Sequence, residues 1–499
     1  MVRSARTEKA ILVPERPSSM GAVNRDPAIR KIVEQVRFLL NGRIGCAPGD
    51  KVLAAVSGGL DSMVLLDVLD RLRAGAGIEL CVAHLDHRLR RASAGDRRFV
   101  EEAARSRGLA CRSGRRDVGR YARENGLSIE DAARQVRYRF LEEAAGREGA
   151  RWIALGHHAD DQAETFLLRL LRGSGLTGLG CMSVVRDDRY IRPLLRFRRK
   201  DLEAYARAAG LEFREDASNR DPRFARNRIR HELLPLLRKY NPRIVEVLGR
   251  TARLLEDEDG FLEEIARKAA RGLVEKPAEW GGFSSGKIVL DASRLLDYHI
   301  AVQRRVVRAL LQGLSEREGP FDFGQVEKVL ETVRRADGRL RSIRCGLYAQ
   351  RVGDRLVLGT FESSAVGREV AVPGEWEIPE RGVRLRFRIL PAGCFGDLKG
   401  HLGGRTAAFD AETFGARLSL RSVRPGDRFQ PLGMKGHRKV SDFLIDLKFP
   451  RLLRKDLMVL TCGREIVWLV GVRPADPFRV KRDTRRIVLA ELTDLWEDS

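Results

Sequence analysis

Residues Lys51–Arg73, KVLAAVSGGLDSMVLLDVLDRLR, decide the architecture. KVLAAV is a short, continuous apolar run, the pattern of a parallel strand covered on both faces. From Asp61 onward the apolar residues recur at helical spacing. Between strand and helix lies SGGLDS, Ser57–Ser62. Gly58 and Gly59 permit positive φ and close backbone approach, and Asp61 and Ser62 fall where the unpaired N–H groups of a new helix point outward. Such a turn is an anion site, best suited to phosphate, or else an ordinary helix start capped by Ser or Asp. It is not a Walker A loop, because the lysine and hydroxyl of G-x-x-x-x-G-K-[ST] are missing.

Two stretches downstream repeat the unit. IELCVAHLDHRLRRASAGDRRFVEEAARSRGL, from Ile78, carries His84, Asp86 and His87 just beyond its strand. RWIALGHHADDQAETFLLRLLRG, from Arg151, delivers His157, His158, Asp160 and Asp161 to the start of a helix. Ligands of open parallel sheets bind beyond the carboxyl ends of the strands, so these clusters are expected to meet. Asp161 and Glu164 share a helix face, and Phe166, Leu167, Leu170 and Leu171 are expected to supply much of the buried one. Paired carboxylates on an exposed face suit an ammonium group or a metal ion; the plainer reading is that Asp160 and Asp161 cap the helix.

Composition sets the outer bounds. A chain of 499 residues implies two or three domains. With 43% hydrophobic and 32% charged residues and no long apolar run, a membrane partner is not expected. The seven cysteines form no C-x-x-C pair and no Cys/His group at zinc spacing, so neither zinc nor an Fe–S cluster is expected and a reducing cytoplasm fits best. A net charge of +24 implies a polyanionic partner, or simply a basic proteome. Gly281, Gly286 and Lys287 repeat part of a Walker spacing, but Ile288 replaces the hydroxyl and a strand follows, which reads as a chance match.

The expected fold class is α/β: a doubly wound, mostly parallel sheet, then a helical domain and a small α+β C-terminal domain. The boundaries read as a disordered extension over 1–25, a catalytic domain over 26–242, a helical middle domain over 243–345, a strand-rich linker over 346–405 and a C-terminal domain over 406–499. In the last of these, Arg421, Arg424, Arg428, Lys435, Arg438 and Lys439 stand in a dense basic surface broken by Phe and Leu, either a polyanion site or a solvated face.

SGGLDS after a first strand resembles the S-G-G-x-D-S signature of the N-type ATP pyrophosphatase, or PP-loop, family. The resemblance implies a loop on the phosphates of ATP, cleavage between the α and β phosphates, adenylation of a substrate oxygen, and displacement of AMP by a nucleophile. Thiolating members use cysteine pairs or a persulfide, and amidating members use ammonia; neither signature is present. HLDHRLRRASAGDRRFV, GHHADDQAETFLLRLLRGSGLTGL, RPLL from Arg192, EDASNRDPRFARNRIRHELLP from Glu215, and the C-terminal LSLRSVRPGDRFQPLGMKGHRKVSDFLIDLKFPRLLRKD and IVWLVGVRPADPF are together similar to tRNA(Ile)-lysidine synthases.

That resemblance implies ligation of free L-lysine to C2 of the wobble cytidine of a CAU-anticodon tRNA(Ile), with ATP and Mg2+ as co-substrate. Ser57, Gly58, Gly59, Leu60, Asp61, Ser62 and His84 would hold ATP, with Asp61 ordering magnesium. Asp161 and Glu164 would hold lysine, and His157 or a carboxylate would accept its proton. Arg226, Asn227, Arg228 and Arg230 would contact the anticodon loop or the adenylate, and the six C-terminal basic residues the tRNA. Whether the chain acts alone or as a homodimer stays open. Three rivals stay open too: a PP-loop tRNA-modifying enzyme with another nucleophile, a metal-dependent phosphohydrolase built on the histidines and Asp86, Asp160 and Asp161, and a tRNA-binding protein with an inactive site.

Overall fold

The computed structural model describes residues 26–87, 93–214, 225–275, 280, 286–315, 321–398, 402–414 and 418–495, so the expected N-terminal extension lies outside the described residues. The chain forms two compact units that divide between Gly260 and Phe261.

The first unit is built on a six-stranded sheet of β1 (Lys51–Ala55), β2 (Glu79–Asp86), β3 (Ala110–Arg115), β4 (Trp152–Ala154), β5 (Val185–Arg186) and β6 (Tyr190–Ile191), in the order β3-β2-β1-β4-β6-β5. Every neighbouring pair is parallel except β5 with β6. The order reverses between β1 and β4, which opens the ligand crevice of a doubly wound sheet at their carboxyl ends. Alternate residues of β1 face opposite layers. Val52 and Ala54 pack into the core formed with α1 (Pro27–Leu39), α2 (Leu60–Ala76) and α3 (Ser93–Arg105), and Leu53 packs into the core formed with α4 (Ile129–Glu148). That two-sided burial is why the strand reads as an unbroken apolar run. The expected α/β fold is the one observed.

Two further helices lead into the crevice, α5 (Ala159–Leu171) after β4 and α6 (Arg199–Ala208) after β6. The carboxylate of Asp67 on α2 accepts from Tyr205 Oη on α6 at 2.8 Å and from Arg71 Nε at 2.7 Å, a buried tie between the two helices. On α5, Phe166 and Leu167 are buried as expected, but Leu170 and Leu171 are 50% and 71% exposed. The last turn of the helix leaves half or more of each of these side chains in solvent. A helical run over 225–240 follows, with one wider turn at Ile229–Leu233. A long helix, Ile244–Leu273, opens the region expected to be helical.

In the second unit the region expected to be helical contains helices Ile300–Leu314 and Phe323–Arg335, but it also supplies strands. β7 (Val274–Glu275), β8 (Lys287–Asp291) and β9 (Leu340–Ser342) join β10 (Tyr348–Val352) and β11 (Arg355–Gly359) in an antiparallel sheet ordered β7-β8-β11-β10-β9. The range 346–405, read from sequence as a linker, is divided between sheets. β10 and β11 complete this sheet, while β12 (Gly367–Val370) pairs with Leu418–Ser422, and Val383–Pro391 pairs along its length with Arg486–Asp494. Alternation reveals that a segment is a strand but not which distant strand it joins. Lys287, from the partial Walker match, is buried on β8 with Nζ 2.7 Å from Asp456 Oδ2, so its charge is spent on a structural ion pair. Among the described residues no helix is long and apolar enough to cross a membrane.

Candidate active site

At the end of β1 the chain turns through Ser57, Gly58 and Gly59 into α2. Gly58 has φ +91°, a left-handed conformation that a side chain would strain. The Ser62 hydroxyl turns back to accept from the amides of Ser57 at 3.1 Å and Gly58 at 3.2 Å, and it donates to Gly59 O at 2.9 Å. Among the described residues no side chain caps α2. The loop is thus closed by its own serine, while the start of the helix is left to a ligand. Gly156, after β4, lies so close that a Cβ there would sit 3.2 Å from Asp61 O and 3.3 Å from Ser62 N.

Asp61 Oδ2 is 3.3 Å from Arg199 Nη1 and 3.6 Å from His158 Nε2. Its Oδ1 is buried with no partner among the described residues. One carboxylate with a spare oxygen beside a phosphate loop fits Mg2+, which is usually held by one or two carboxylates together with substrate phosphates. His84 is buried, its Nδ1 2.8 Å from Val56 O and its Nε2 unpartnered among the described residues. No group of three or more His, Cys, Asp or Glu residues is placed to share a metal among the described residues.

The expected lysine-binding acids and the expected tRNA-binding arginines are brought together. Glu164 is 1% exposed. It accepts from Arg226 Nε at 2.8 Å, and from Arg230 Nε at 2.6 Å and Nη2 at 3.0 Å. Both guanidiniums also reach Asp161 Oδ1, at 3.3 and 3.4 Å. The expectation of two carboxylates on an open face is therefore corrected: a carboxylate this buried must be paired, and the arginines four residues apart on the helical run supply the pairing. Asn227 is buried and Arg228 is exposed.

Capping is divided between the neighbouring aspartates. Asp161 Oδ2 accepts from His158 N at 3.0 Å and so caps its own helix, while Asp160 Oδ2 accepts from Arg199 N at 2.9 Å and caps α6. Its other oxygen receives Arg238 Nη2 at 3.0 Å.

The two adjacent histidines are driven in opposite directions. Burial lowers His157 to about 3, against the pull of Asp161 and with help from Arg137, Arg192 and Arg226, so it is neutral at pH 7. Burial also opposes charge on His158, but Asp161, Asp61 and Asp160 outweigh it and raise the imidazole to about 9. Asp161 is itself held well below the usual carboxylate range: burial works against its charge, and His158, Arg226 and His157 overcome it.

Sequence reasoning assigned no role to Arg137, Arg192 or Arg199. Arg192 is 2% exposed, donates to Ser183 O at 2.7 Å, and keeps a buried Nε without a partner among the described residues, as does Arg137. Arg137 follows Val136 and precedes Phe140 and Leu141, all buried. An arginine on the apolar side of a helix was the available signal.

In the second unit Arg424, Arg428, Lys435 and Lys439 are exposed. Strands Arg428–Phe429 and Arg438–Lys439 pair with Arg428 directly opposite Lys439. Like charges so placed repel unless an anion lies between or beside them. Arg421 differs, being bound through both Nη atoms to Asp427 at 2.8 Å, and Arg438 pairs with Asp446 at 2.6 Å.

Family models match residues 29–237 as a PP-loop domain and residues 418–490 as a TilS substrate C-terminal domain. The chain is 36% identical over 461 residues to the tRNA(Ile)-lysidine synthase of Geobacter sulfurreducens, covering 89% of this chain and 93% of that protein. It is 37% identical over 456 residues to the tRNA(Ile)-lysidine synthase of Symbiobacterium thermophilum, covering 88% and 93%. Likeness at that level over nearly the full length of both proteins, joined to a phosphate loop at the sheet's switch point, means that the chain belongs to the tRNA(Ile)-lysidine synthase family of ATP-using PP-loop ligases.

Proposed function

We propose that this ligase joins free L-lysine to C2 of the wobble cytidine of a CAU-anticodon tRNA(Ile), through a tRNA adenylated on the cytosine C2 oxygen. The observation that carries the reading is the Asp161–Glu164–Arg226–Arg230 cluster set beside the phosphate loop, where one site offers carboxylates to an amino acid and guanidiniums to a nucleotide. In the first step the cytosine O2 bonds to the α-phosphorus of ATP, and the α–β bridging P–O bond breaks, its electron pair leaving with diphosphate. In the second the lysine ε-amine bonds to C2, and the C2–O2 bond breaks to release AMP carrying that oxygen.

Ser57, Gly58, Gly59, Leu60, Asp61, Ser62 and His84 surround the ATP phosphates in this reading. Mg2+ held by Asp61 would neutralise phosphate charge. The attacking amine, with an ordinary pKa of about 10.4, must first lose a proton. Arg226, Arg230, Arg137, Arg192 and protonated His158 form a cationic surround that lowers the pKa of an entering ammonium. His157 or a carboxylate takes the proton, and Asp161 orients the amine while Glu164 holds the two arginines. The basic surface over 406–499, with Arg424, Arg428, Lys435 and Lys439 exposed, is assigned to tRNA.

The test is to incubate the protein with ATP, radiolabelled lysine and a CAU-anticodon tRNA(Ile) transcript and to count label in precipitated RNA. Incorporation that requires ATP and cytidine at the wobble position supports the reading. AMP release without label would move the nucleophile elsewhere, and no AMP would overturn the adenylation chemistry.

A further inference from the structure

Beyond the phosphate loop the first unit holds a cavity of about 420 Å3 that the proposed chemistry does not use in full. It lies between the starts of α5 and α6 and the end of the helical run over 225–240. Arg198, Arg199, Lys200, Arg230 and Arg238 line it, against the carboxylates of Asp160, Glu164 and Glu203. Five cations face three anions.

The carboxylates are already engaged. Glu164 is covered by Arg226 and Arg230, Asp160 caps α6 and receives Arg238, and Glu203 receives Arg199 Nε at 3.3 Å. The cations keep spare capacity. Arg198 Nη1 donates to Glu246 Oε1 at 2.8 Å and Arg238 Nη2 to Asp160 Oδ1 at 3.0 Å, while Nε of each is buried with no hydrogen-bond partner among the described residues, and Lys200 is exposed and forms no ion pair with a described residue. Buried guanidinium N–H groups left unpaired are costly and call for an acceptor. The cavity also communicates with the loop, because Arg199 lines it and places Nη1 3.3 Å from Asp61 Oδ2.

We propose that this cavity is a second anion site for a diphosphate group, receiving the diphosphate as it leaves the loop. The inference rests on the reading that ATP is cleaved at the loop into AMP and diphosphate. Guanidinium forks bind such an anion bidentately, and passing it from the N–H groups of the loop to Arg199 and then to Lys200 and Arg238 would draw the leaving group away from the adenylate. The same chemistry would also accept phosphodiester groups of an RNA strand, and the experiment separates the two sources.

Inorganic diphosphate is titrated calorimetrically into the full chain at fixed salt, without ATP, lysine or tRNA, for the natural protein and for Lys200→Ala and Arg238→Ala. The titration involves no turnover and the KM for tRNA is read from AMP release, so neither readout depends on whether lysine is the nucleophile. The expected result is binding of diphosphate that weakens at least tenfold in each variant, with thermal stability retained and the KM for tRNA unchanged. Diphosphate affinity unaltered in both variants overturns the proposal, as does an absence of binding to the natural protein. A raised KM for tRNA with unchanged diphosphate affinity also overturns it and assigns the cavity to the RNA backbone.

Discussion

Replacing His158 with glutamine should change how the stability of the first unit depends on pH. The imidazole is 2% exposed and lies 3.5 to 3.9 Å from the carboxylates of Asp161, Asp61 and Asp160, which raise it from 6.5 to about 9. Between those values the folded protein binds one more proton than the unfolded chain, so stability falls as pH rises. The contribution is complete below about pH 6.5 and gone by about pH 9. At about 1.4 kcal/mol per pH unit it amounts to about 3 kcal/mol across that window. His87 and His157, lowered to about 4 and about 3, act with the opposite sign and only as pH falls below about 6.5. The thiols of Cys46 and Cys181, raised by burial to about 11, cost stability only as the unfolded thiols ionise, near and above pH 8.5, and do so in both proteins. Trp152, on β4, reports the unit if the other four tryptophans are replaced by phenylalanine. Urea unfolding at constant ionic strength from pH 6 to 9 should give a falling curve for His158 and a nearly flat one for His158→Gln, the two converging toward pH 9. Parallel curves across that window would refute the charge assigned to this histidine.

Three further perturbations follow from the same geometry. Gly156→Ala pushes a methyl group to 3.2 Å from Asp61 O and 3.3 Å from Ser62 N, backbone atoms that cannot swing aside. At the ~1–3 kcal/mol of a tight core insertion, the KM for ATP should rise about tenfold in an AMP-release assay, and an unchanged KM would argue that the loop tolerates displacement. Glu164→Gln and Arg226→Met should each lower kcat/KM for lysine by roughly a hundredfold, while the double variant is no worse than the poorer single one, since the pair acts as a unit; losses that simply multiply would mean the two act separately. In the second unit, removing the opposed charges with Arg428→Ala and Lys439→Ala should flatten the salt dependence of tRNA binding by a slope of about 2, read from filter binding at several salt concentrations. Arg421→Ala should instead lower the melting temperature with little change in that slope, because both its Nη atoms are held by Asp427.

How much of this was legible in the sequence depended on distance along the chain. The phosphate loop was readable because strand, glycines and helix start are contiguous, and the observed β1 and α2 begin and end within a few residues of the apolar and helical patterns. The crevice was readable because polar clusters follow three apolar strands, and parallel topology sends them to one edge. The second unit was less legible: β12 and the strand Leu418–Ser422 are partners from segments about fifty residues apart, and period-2 alternation carries no address. The same limit explains Leu170 and Leu171, whose helical spacing marks a face but not how far along the helix the core extends.

Glu164 is the instructive case. Spacing put it on a face with Asp161, and its charge suggested that the face was open. In the fold the residue is buried, and an isolated carboxylate there would cost far more than one hydrogen bond returns. A buried i, i+3 acid pair therefore needs cations at matching spacing elsewhere, and FARNRIRHEL offers Arg226 and Arg230 at i, i+4. Their distance from Glu164, 62 and 66 residues along the chain, hid the match from periodicity, yet the two motifs are complementary in charge and in rise. Acids and bases assigned to separate ligands were each other's partners first. In the proposed reaction the lysine ammonium and the nucleotide phosphate enter by exchanging with that pairing, which is why both halves are expected to fail together in the Glu164–Arg226 cycle.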